Sequence, residues 1–335
     1  MPLCSGIDLR NNMQQISLEQ ITRRVLEQKG EVSHNEAVEL AKYTDKDLLY
    51  AAANSIREKF CGNELDTCSI INARSGMCSE DCKWCAQSAR HDTGIETYPI
   101  KNSDEVFDCA LQNDIKGVKR FSMVTSGRRV EREEMEKFCG MYKRIHEKTG
   151  LKLCASMGLI GREEMLMLKE AGVIRYECNL ETASSFFPQL CTTHTSEEKK
   201  ATLRLALECG MDICSGGIIG MGESMEQRVE LACELRELGV KSVPINILNP
   251  IKGSALENAK PLSDEEILTT MAIFRFLLPD AFIRFAGGRV NMSENLQKKA
   301  LQSGINASLV GGLLTTPGSN VSKDYEMFKS VGYTH

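Results

Sequence analysis

The sequence predicts an α/β protein, a (β/α)8 barrel of the TIM type with an N-terminal helical cap. Two observations support this fold class. From residue 66 onwards, short β-rich runs alternate with charged amphipathic stretches. Eight such runs occupy about 245 residues, the size and rhythm of a barrel in which a helix follows each parallel strand. A doubly wound open sheet is the second-ranked alternative, because it would use fewer strands at this length.

The N-terminal sixty residues are predicted to be helical. Three segments each place a capping side chain before an apolar-periodic run: Ser17-Leu-Glu-Gln20, Ser33-His-Asn-Glu36 and Thr44-Asp-Lys-Asp47. No low-complexity segment or Gly/Ser linker divides the rest of the chain. The predicted organisation is therefore a helical extension over residues 1–60 and one catalytic barrel domain over residues 61–335.

Eight strands are predicted in the barrel, at residues 66–73, 119–125, 151–157, 174–181, 211–218, 240–247, 280–286 and 306–310. Amphipathic helices are predicted between them, among others at residues 131–149, 162–171, 196–209 and 224–238. The tail, residues 313–320, predicts a turn that is followed by a short helix.

Composition restricts the class of protein. The chain has 335 residues, of which 42% are hydrophobic and 26% charged, and its formal net charge is −5. Since no basic stripe is interleaved with aromatic residues, we expect no nucleic-acid partner. The first ten residues have no basic or apolar region and no apolar stretch reaches the length of a membrane span, so we expect no membrane association. Fourteen cysteines without a signal peptide favour a reduced cytoplasm and metal or redox chemistry.

Three cysteines carry the most specific signal in the chain. Cys78, Cys82 and Cys85 lie in one short loop with C-x3-C-x2-C spacing, directly after the first predicted strand. They offer three thiolates where a closed iron–sulfur or zinc site has four ligands, so one iron would stay open to a small molecule. The loop resembles that of the radical S-adenosylmethionine enzymes. The alternatives are an incomplete zinc knuckle or a chance spacing in a cysteine-rich chain.

A second set of polar side chains lies in the middle of predicted strands. Cys68, Cys154 and Cys214 occupy three different strands, and the alternation of side chains can direct all three into the barrel, with Ser122 and Arg284 on two further strands. A single buried cysteine is usually a small hydrophobic residue. Three thiols and a guanidinium together would be a costly core without a metal. We interpret the other cysteines as packing or surface residues: 4, 61, 109, 139, 178, 191, 209 and 233.

Several longer motifs resemble the biotin synthase family, and the resemblance covers about residues 60–330. Besides the cysteine loop at residues 75–88, they are Asn179-Leu-Glu-Thr182, Cys214-Ser-Gly-Gly-Ile-Ile-Gly-Met-Gly-Glu223, Ser242-Val-Pro-Ile-Asn246, Arg284-Phe-Ala-Gly-Gly-Arg289 and Leu313-Leu-Thr-Thr-Pro317. The loop alone would fit many reactions. The Cys-Ser-Gly-Gly and Val-Pro-Ile-Asn runs narrow the resemblance to this family.

The resemblance implies two iron–sulfur clusters. A [4Fe–4S] cluster would be held by Cys78, Cys82 and Cys85. An auxiliary cluster, [2Fe–2S] in the familiar members, would be held by three cysteines and an arginine. The matching positions are Cys154, Cys214 and Arg284, whereas the third cysteine position is Ser122. Because Cys68 lies on the neighbouring strand, we expect that it replaces the missing thiolate. The cluster could then also be larger than [2Fe–2S].

The resemblance also implies cofactor- and substrate-binding residues. Five would bind S-adenosylmethionine: Trp84 at the adenine, Glu181 at the ribose hydroxyls, Lys199 at the methionine carboxylate, and Gly216 and Gly217 through close backbone approach. Four would contact the substrate: Asn179 and Asn246 at its ureido ring, Thr315 and Thr316 at its carboxylate. Without the resemblance, the asparagines are equally well explained as strand-end caps and the threonines as turn residues.

The activity that the resemblance implies is insertion of sulfur into dethiobiotin, giving biotin, with S-adenosylmethionine as the radical source and the auxiliary cluster as the sulfur donor. An electron donor such as flavodoxin or ferredoxin and a homodimer are the other expected partners. Two rival functions remain open. One is a mutase or cofactor-assembly enzyme of the same barrel, and the other is a non-catalytic iron–sulfur sensor or scaffold.

Overall fold

The computed structural model describes residues 17–316 and 318–334. Cys4, the N-terminal segment used for the targeting argument and Pro317 lie outside the described residues. Three helices precede the sheet, α1 (Leu18–Gln28), α2 (His34–Ala41) and α3 (Lys46–Cys61). Ser17 and Ser33 cap the first two helices as predicted. The cap of α3 is Asp45 and not Thr44, because the Asp45 carboxylate accepts the Leu48 N–H at 3.1 Å.

Nine parallel strands form one sheet. They are β1 (Asp66–Arg74), β2 (Arg120–Thr125), β3 (Lys152–Ser156), β4 (Val173–Glu177), β5 (Asp212–Cys214), β6 (Gly217–Ile219), β7 (Ser242–Ile247), β8 (Phe282–Phe285) and β9 (Ala307–Leu309). Their order in the sheet is β5-β4-β3-β2-β1-β9-β8-β7-β6. The two ends of this order, β5 and β6, are consecutive in the chain, so the sheet curls around on itself. The predicted fold class is confirmed.

One predicted strand, residues 211–218, is divided into two. β5 pairs with β4, whereas β6 pairs with β7. Between them, the Ser215 N–H donates to the Ser242 carbonyl at 3.0 Å, so the backbone changes its partner strand at this point. This change closes the curl, since each half of the interrupted strand is bonded to a different neighbour.

Helices cover the outside of the sheet. They are α4 (Ser103–Ile115), α5 (Arg132–Lys148), α6 (Arg162–Glu170), α7 (Ser196–Glu208), α8 (Met225–Glu237), α9 (Asp264–Leu277), α10 (Glu294–Leu301) and, after the predicted turn, α11 (Val321–Ser330). Every residue of α9 from Ile267 to Leu277 is buried, because α2 and α3 pack over it. Among the described residues, no helix has the length and apolarity needed to cross a lipid bilayer.

Candidate active site

A cavity of about 310 Å³ opens at the carboxyl ends of the strands, the face on which barrel active sites are built. Its wall contains most of the residues that the sequence singled out: Cys68, Cys78, Cys82, Trp84, Cys85, Asn179, Glu181, Lys199, Cys214, Asn246 and Arg284. The cysteine loop and the strand-borne thiols, which are far apart in the sequence, thus share one cavity.

Backbone hydrogen bonds fold the cysteine loop tightly at the end of β1. The Ala89 N–H donates to the Cys78 carbonyl at 2.8 Å, and the Cys85 N–H donates to the Cys82 carbonyl at 3.0 Å. The turn into the loop needs two left-handed residues, Gly76 (φ 77°) and Met77 (φ 53°). Gly76 adopts this conformation without steric strain because it has no Cβ.

The three loop thiols fit a cluster better than a single ion. In the described part of the chain, the Sγ atoms of Cys78, Cys82 and Cys85 do not all lie within 4.8 Å of one another, as they would around a single ion. Burial raises the pKa of Cys85 to about 11, so its thiolate forms when a metal takes the place of the proton. The donor set, three cysteines in a half-buried loop at the cavity wall, is that expected for a [4Fe–4S] cluster with an open iron.

The structure adds Cys191 to the surroundings of this loop, although the sequence suggested only a packing or surface role. Its Sγ lies 3.7 Å from Cys82 Sγ and 3.4 Å from His194 Nδ1, and the residue is 4% exposed. The hydrogen bond from the Cys82 thiol and further bonds from His194 and Thr193 lower the pKa of Cys191 to about 4. The signal that sequence reasoning missed is the spacing Cys191-x2-His194.

Glu181 has the geometry expected for binding hydroxyl groups. Its backbone is left-handed (φ 72°) and is held by Gly216 and Ile218, which exchange backbone hydrogen bonds with it at 3.0 and 2.8 Å. Its Oε2 is buried without a hydrogen-bond partner in the described residues. Burial raises the pKa of Glu181 to about 7, against the opposing charge of Lys199. An unpartnered buried carboxylate oxygen at a cavity wall fits a ligand that brings its own donors, as the ribose of S-adenosylmethionine does.

Trp84 and Lys199 also line the cavity. Trp84 packs edge-on against Phe187, with ring centroids 6.1 Å apart. The fields of Cys178 and Glu181 raise the pKa of Lys199 although its burial opposes this, so the ammonium stays charged. A fixed cation beside an open-iron loop can hold a carboxylate.

Gly216 and Gly217 are required by the strands around them. A Cβ on Gly216 would lie 1.9 Å from the Pro244 carbonyl oxygen, and one on Gly217 would lie 2.5 Å from the Glu181 carbonyl oxygen. Neither glycine is part of the cavity lining in the described chain. Glycine is therefore needed at both positions because the neighbouring backbones of Pro244 and Glu181 approach too closely for a side chain.

Asn179 and Asn246 line the cavity and also bind backbone. Asn179 Oδ1 accepts the Gly216 N–H at 3.1 Å. Asn246 accepts the Gly287 N–H at 2.8 Å and donates to the Gly217 carbonyl at 3.2 Å. A primary amide has two N–H groups and two lone pairs on its oxygen, so Asn246 keeps one donor and one acceptor for a ligand.

The strand-borne thiols lie deeper in the barrel. Cys68 and Cys214 line the cavity, whereas Cys154 is fully buried beside them, in register with Ser122 and Arg175 on the adjacent strands. Burial raises the pKa of Cys68 and Cys154 well above the usual thiol value, and that of Cys214 to about 11. Without a metal, these groups are neutral thiols.

Arg284 is held by an acidic partner. Its Nη2 lies 2.5 Å from Asp66 Oδ2, and its Nη1 donates to the carbonyls of Asp66 and Ser308 at 3.1 and 3.2 Å. Two other buried guanidinium nitrogens, Arg120 Nη1 and Arg175 Nε, have no partner in the described residues. Unpartnered cationic donors beside three thiols fit an anionic occupant, and a sulfide-rich cluster is one.

Glu177 is a further cavity residue that the sequence did not single out. It lines the wall beside the thiols, and its Oε2 accepts a hydrogen bond from Ser122 Oγ at 3.0 Å. Burial raises the pKa of Glu177, with Ser122 and Arg284 opposing. β4 ends at Glu177, and Cys178 and Asn179 directly after it also line the cavity, so the position of Glu177 depends on the chain leaving the strand here and not on alternation.

Thr315 and Thr316 are half-buried in the loop after β9. Neither is part of the cavity lining in the described chain, whereas the neighbouring Leu314 is. The loop therefore borders the cavity through Leu314, and the structure does not bring Thr315 and Thr316 into its wall.

Comparison with known proteins defines the class first. Residues 74–235 match the Radical SAM superfamily, and residues 244–334 match the Biotin and Thiamin Synthesis associated domain. The fold is similar to those of a methylornithine synthase (PylB; TM-score 0.81, 17% identity, 94% of this chain and 96% of that one) and of the FeFe-hydrogenase maturase HydG from Carboxydothermus hydrogenoformans (TM-score 0.79, 16% identity, 94% and 78%). The fold and the three-cysteine loop define a radical S-adenosylmethionine enzyme.

Curated relatives define the family. The chain is 48% identical to a biotin synthase of Parabacteroides distasonis over 319 residues, which is 95% of this chain and 97% of the relative. It is 50% identical to a biotin synthase of Acetivibrio thermocellus over 302 residues, or 90% and 94%. The chain belongs to the biotin synthase family.

Proposed function

We propose that this enzyme forms biotin from dethiobiotin by inserting one sulfur atom between two unactivated carbons. The observation that carries the proposal is a single cavity lined both by the open three-cysteine loop and by the deeper Cys68, Cys214 and Arg284. A non-catalytic sensor or scaffold would not need both sets to face the same space. A mutase or cofactor-assembly enzyme would not need the deeper set.

Two groups would be held by this chain. Cys78, Cys82 and Cys85 would bind a [4Fe–4S] cluster whose open iron takes S-adenosylmethionine. Three strand-borne thiols, Cys68, Cys154 and Cys214, would bind an auxiliary iron–sulfur cluster. When bound, the first group supplies hydrogen abstraction from unactivated carbon, chemistry that no side chain can perform, and the second supplies the sulfur atom.

The residues of the upper wall would fix S-adenosylmethionine. The free Oε2 of Glu181 would accept the ribose hydroxyls, and the Lys199 ammonium would face the methionine carboxylate. Trp84 would border the adenine. Gly216 and Gly217 would act indirectly, since their close packing keeps Glu181 in its left-handed conformation.

Asn179 and Asn246 would orient the ureido ring of dethiobiotin. Each amide is already fixed by a backbone contact, so it would meet the substrate with little further loss of side-chain freedom. Thr315 and Thr316, which follow the cavity residue Leu314, would contact the substrate carboxylate.

The deeper wall would control the auxiliary cluster. Arg284 is paired with Asp66, so it would stay a charged neighbour of the cluster and would not be a neutral ligand. Glu177 would offer a carboxyl group beside the sulfur donor. Ser122 stands where the family has a thiol on strand two, and Cys68 offers a thiol on strand one instead. The auxiliary cluster would then be either [2Fe–2S] or a larger cluster.

The proposed function also implies an electron donor, a cellular location, an oligomeric state and a domain organisation. It would receive electrons from a donor such as flavodoxin or ferredoxin, work in the cytoplasm and form a homodimer. Residues 1–60 would form a helical extension to the barrel domain of residues 61–335, and the packing of α3 on α9 supports an extension that is firmly docked.

Anaerobic turnover tests the proposal. Enzyme with reconstituted clusters, dethiobiotin, S-adenosylmethionine and a reductant should yield biotin, methionine and 5′-deoxyadenosine. Asn246→Ala should weaken dethiobiotin binding by about 1–3 kcal/mol, because a buried substrate group loses its partner, while cleavage of S-adenosylmethionine without product continues. The matched control is Asn291→Ala, an exposed amide outside the cavity. Absence of biotin, or unchanged dethiobiotin affinity in Asn246→Ala, contradicts the respective assignment.

A further inference from the structure

Cys82, Cys191 and His194 form a compact set of metal-binding side chains. Their ligand atoms all lie within 4.8 Å of one another, and in the described part of the chain this is the one such group of three. Cys191 and His194 are 4% and 8% exposed. The proposed [4Fe–4S] cluster uses only Cys82 from this set, so two buried, soft donors beside it have no assigned role.

The distances fit one tetrahedral ion. Two thiolates that bind a tetrahedral Zn²⁺ at about 2.3 Å lie about 3.8 Å apart. Cys82 Sγ and Cys191 Sγ are 3.7 Å apart. Two sulfur atoms at this separation can share a single ion.

His194 is already oriented as a ligand. Its Nδ1 lies 2.6 Å from Glu80 Oε2, which leaves the lone pair on Nε2, 3.9 Å from Cys191 Sγ. A carboxylate behind a histidine is the usual outer-shell partner of a metal-binding imidazole. Arg128 in turn holds Glu80 at 3.2 Å.

Asp81 completes the surroundings. Its Oδ1 lies 3.2 Å from Cys191 Sγ and accepts backbone hydrogen bonds from Thr192 and Thr193 at 2.9 and 3.2 Å. Asp81 is not among the ligand atoms that lie within 4.8 Å of one another, so a water bound by this carboxylate would take the fourth position. Two sulfurs, one imidazole nitrogen and one oxygen form a donor set for Zn²⁺ and, more weakly, for Fe²⁺.

We propose that Cys82, Cys191 and His194 form a mononuclear site that binds Zn²⁺ in the cluster-free enzyme, with Fe²⁺ as the weaker occupant. Binding forms two metal–sulfur bonds and one metal–nitrogen bond, and any proton that a thiol still holds passes to solvent. Because Cys82 cannot serve both groups, a zinc ion here and the [4Fe–4S] cluster exclude each other. The site thereby makes cluster assembly sensitive to zinc.

Cobalt is the probe that tests the site directly. The full-length, reduced, cluster-free enzyme is titrated anaerobically with Co²⁺, and its thiolate charge-transfer and tetrahedral d–d absorption are recorded. We expect Cys191→Ser and His194→Gln each to remove one tetrahedral equivalent. Cys85→Ser and Cys233→Ser, a thiol on α8, are the matched controls and should retain it. Glu80→Ala should weaken the binding at least about tenfold.

The opposite pattern overturns the proposal. If Cys85→Ser loses the equivalent while Cys191→Ser retains it, the ion is bound by the cysteine loop. If all variants bind like the unchanged enzyme, the trio is not a site. Circular dichroism of each variant shows whether a loss of binding reflects a loss of fold.

A competition experiment tests the exclusion, and this second arm rests on the proposed first cluster. One equivalent of Zn²⁺ is added before anaerobic iron and sulfide, and protein-bound iron is measured. The unchanged enzyme should take up about four fewer irons than without zinc, and Cys191→Ser should load normally. Normal loading of the unchanged enzyme would overturn the exclusion. A failure of biotin formation would instead overturn the proposed function and leave the cobalt result intact.

Discussion

Cys68 and Ser122 lie on the neighbouring strands β1 and β2, and they decide how the deeper wall can bind a cluster. Cys68 lines the cavity, whereas the Ser122 hydroxyl is engaged with Glu177 at 3.0 Å. Adjacent strands are about 4.8 Å apart, so a ligand moved by one strand still reaches the same cavity. The thiol of Cys68 is therefore available for a metal, and the serine is positioned to hold the carboxyl group.

We predict that Cys68→Ser loses the auxiliary iron and sulfide and stops biotin formation, because a hard alkoxide replaces a soft thiolate. The first cluster and its cleavage of S-adenosylmethionine should persist. Ser122→Ala is the matched control and should retain the iron. Iron and sulfide analysis of reconstituted protein provides the measurement, and full iron content in Cys68→Ser would contradict the ligand assignment. The same counts distinguish two auxiliary irons from four.

Glu181 predicts a pH dependence of cofactor binding. Its pKa is raised to about 7, so below neutral pH the free carboxylate oxygen is protonated and can no longer accept two hydroxyl donors. Affinity for S-adenosylmethionine should therefore rise about tenfold between pH 6 and pH 8, one pKa unit on each side. Calorimetry on enzyme that holds the first cluster measures it. Glu181→Gln should bind more weakly and lose this dependence; a Gln variant with the same pH profile contradicts the role.

Asp66 connects elements that are distant in the sequence. It lies at the start of β1 and pairs with Arg120 of β2 at 3.0 Å and Arg284 of β8 at 2.5 Å, and all three residues are buried. Burial alone would raise the pKa of Asp66, but Arg284 and Arg120 outweigh it and lower the pKa. The carboxylate thus stabilises the barrel above its unfolded pKa, and this contribution is lost as the pH falls through the folded pKa.

We predict that Asp66→Asn lowers the free energy of unfolding at pH 7 by about 3–5 kcal/mol, because two buried guanidinium groups lose their counter-charge. The difference from the unchanged enzyme should shrink as the pH falls below the ordinary aspartate value of 3.8. Denaturant unfolding at several pH values measures both effects. Asp280→Asn, which breaks an exposed ion pair with Lys241, should cost less than about 1 kcal/mol. Equal effects of the two changes would refute the argument.

Periodicity identified most elements, and it failed where the backbone changes partner. The predicted strand at residues 211–218 is continuous in its pattern, yet it is β5 and β6 in the structure. The division depends on the Ser215 N–H, which donates to the carbonyl of Ser242, a residue distant in the chain that the fold brings alongside. No local pattern records a hydrogen bond of that kind.

The N-terminal helices determine part of the stability of the whole molecule. Ile56 on α3 is fully buried, and α3 packs against α9, which is buried from Ile267 to Leu277. Ile56→Ala should therefore lower the free energy of unfolding by about 2–5 kcal/mol. Leu48→Ala on the same helix is the control, because Leu48 is 54% exposed. Thermal unfolding measures both changes. If the two variants lose the same stability, the N-terminal helices do not pack on the barrel as described.

The sequence by itself determined the fold class, the cysteine loop and several of the polar residues that line the cavity. These follow from short-range patterns: alternation places every second strand residue inward, and the loop carries its three thiols within eight positions. Only the tertiary structure decided that Cys191 and His194 meet Cys82, that Glu177 faces the strand-borne thiols and that Asp66 holds Arg284. These contacts join residues up to 218 positions apart. They arise because a closed parallel sheet brings the ends of distant strands to one cavity, and the spacing along the chain does not record that closure.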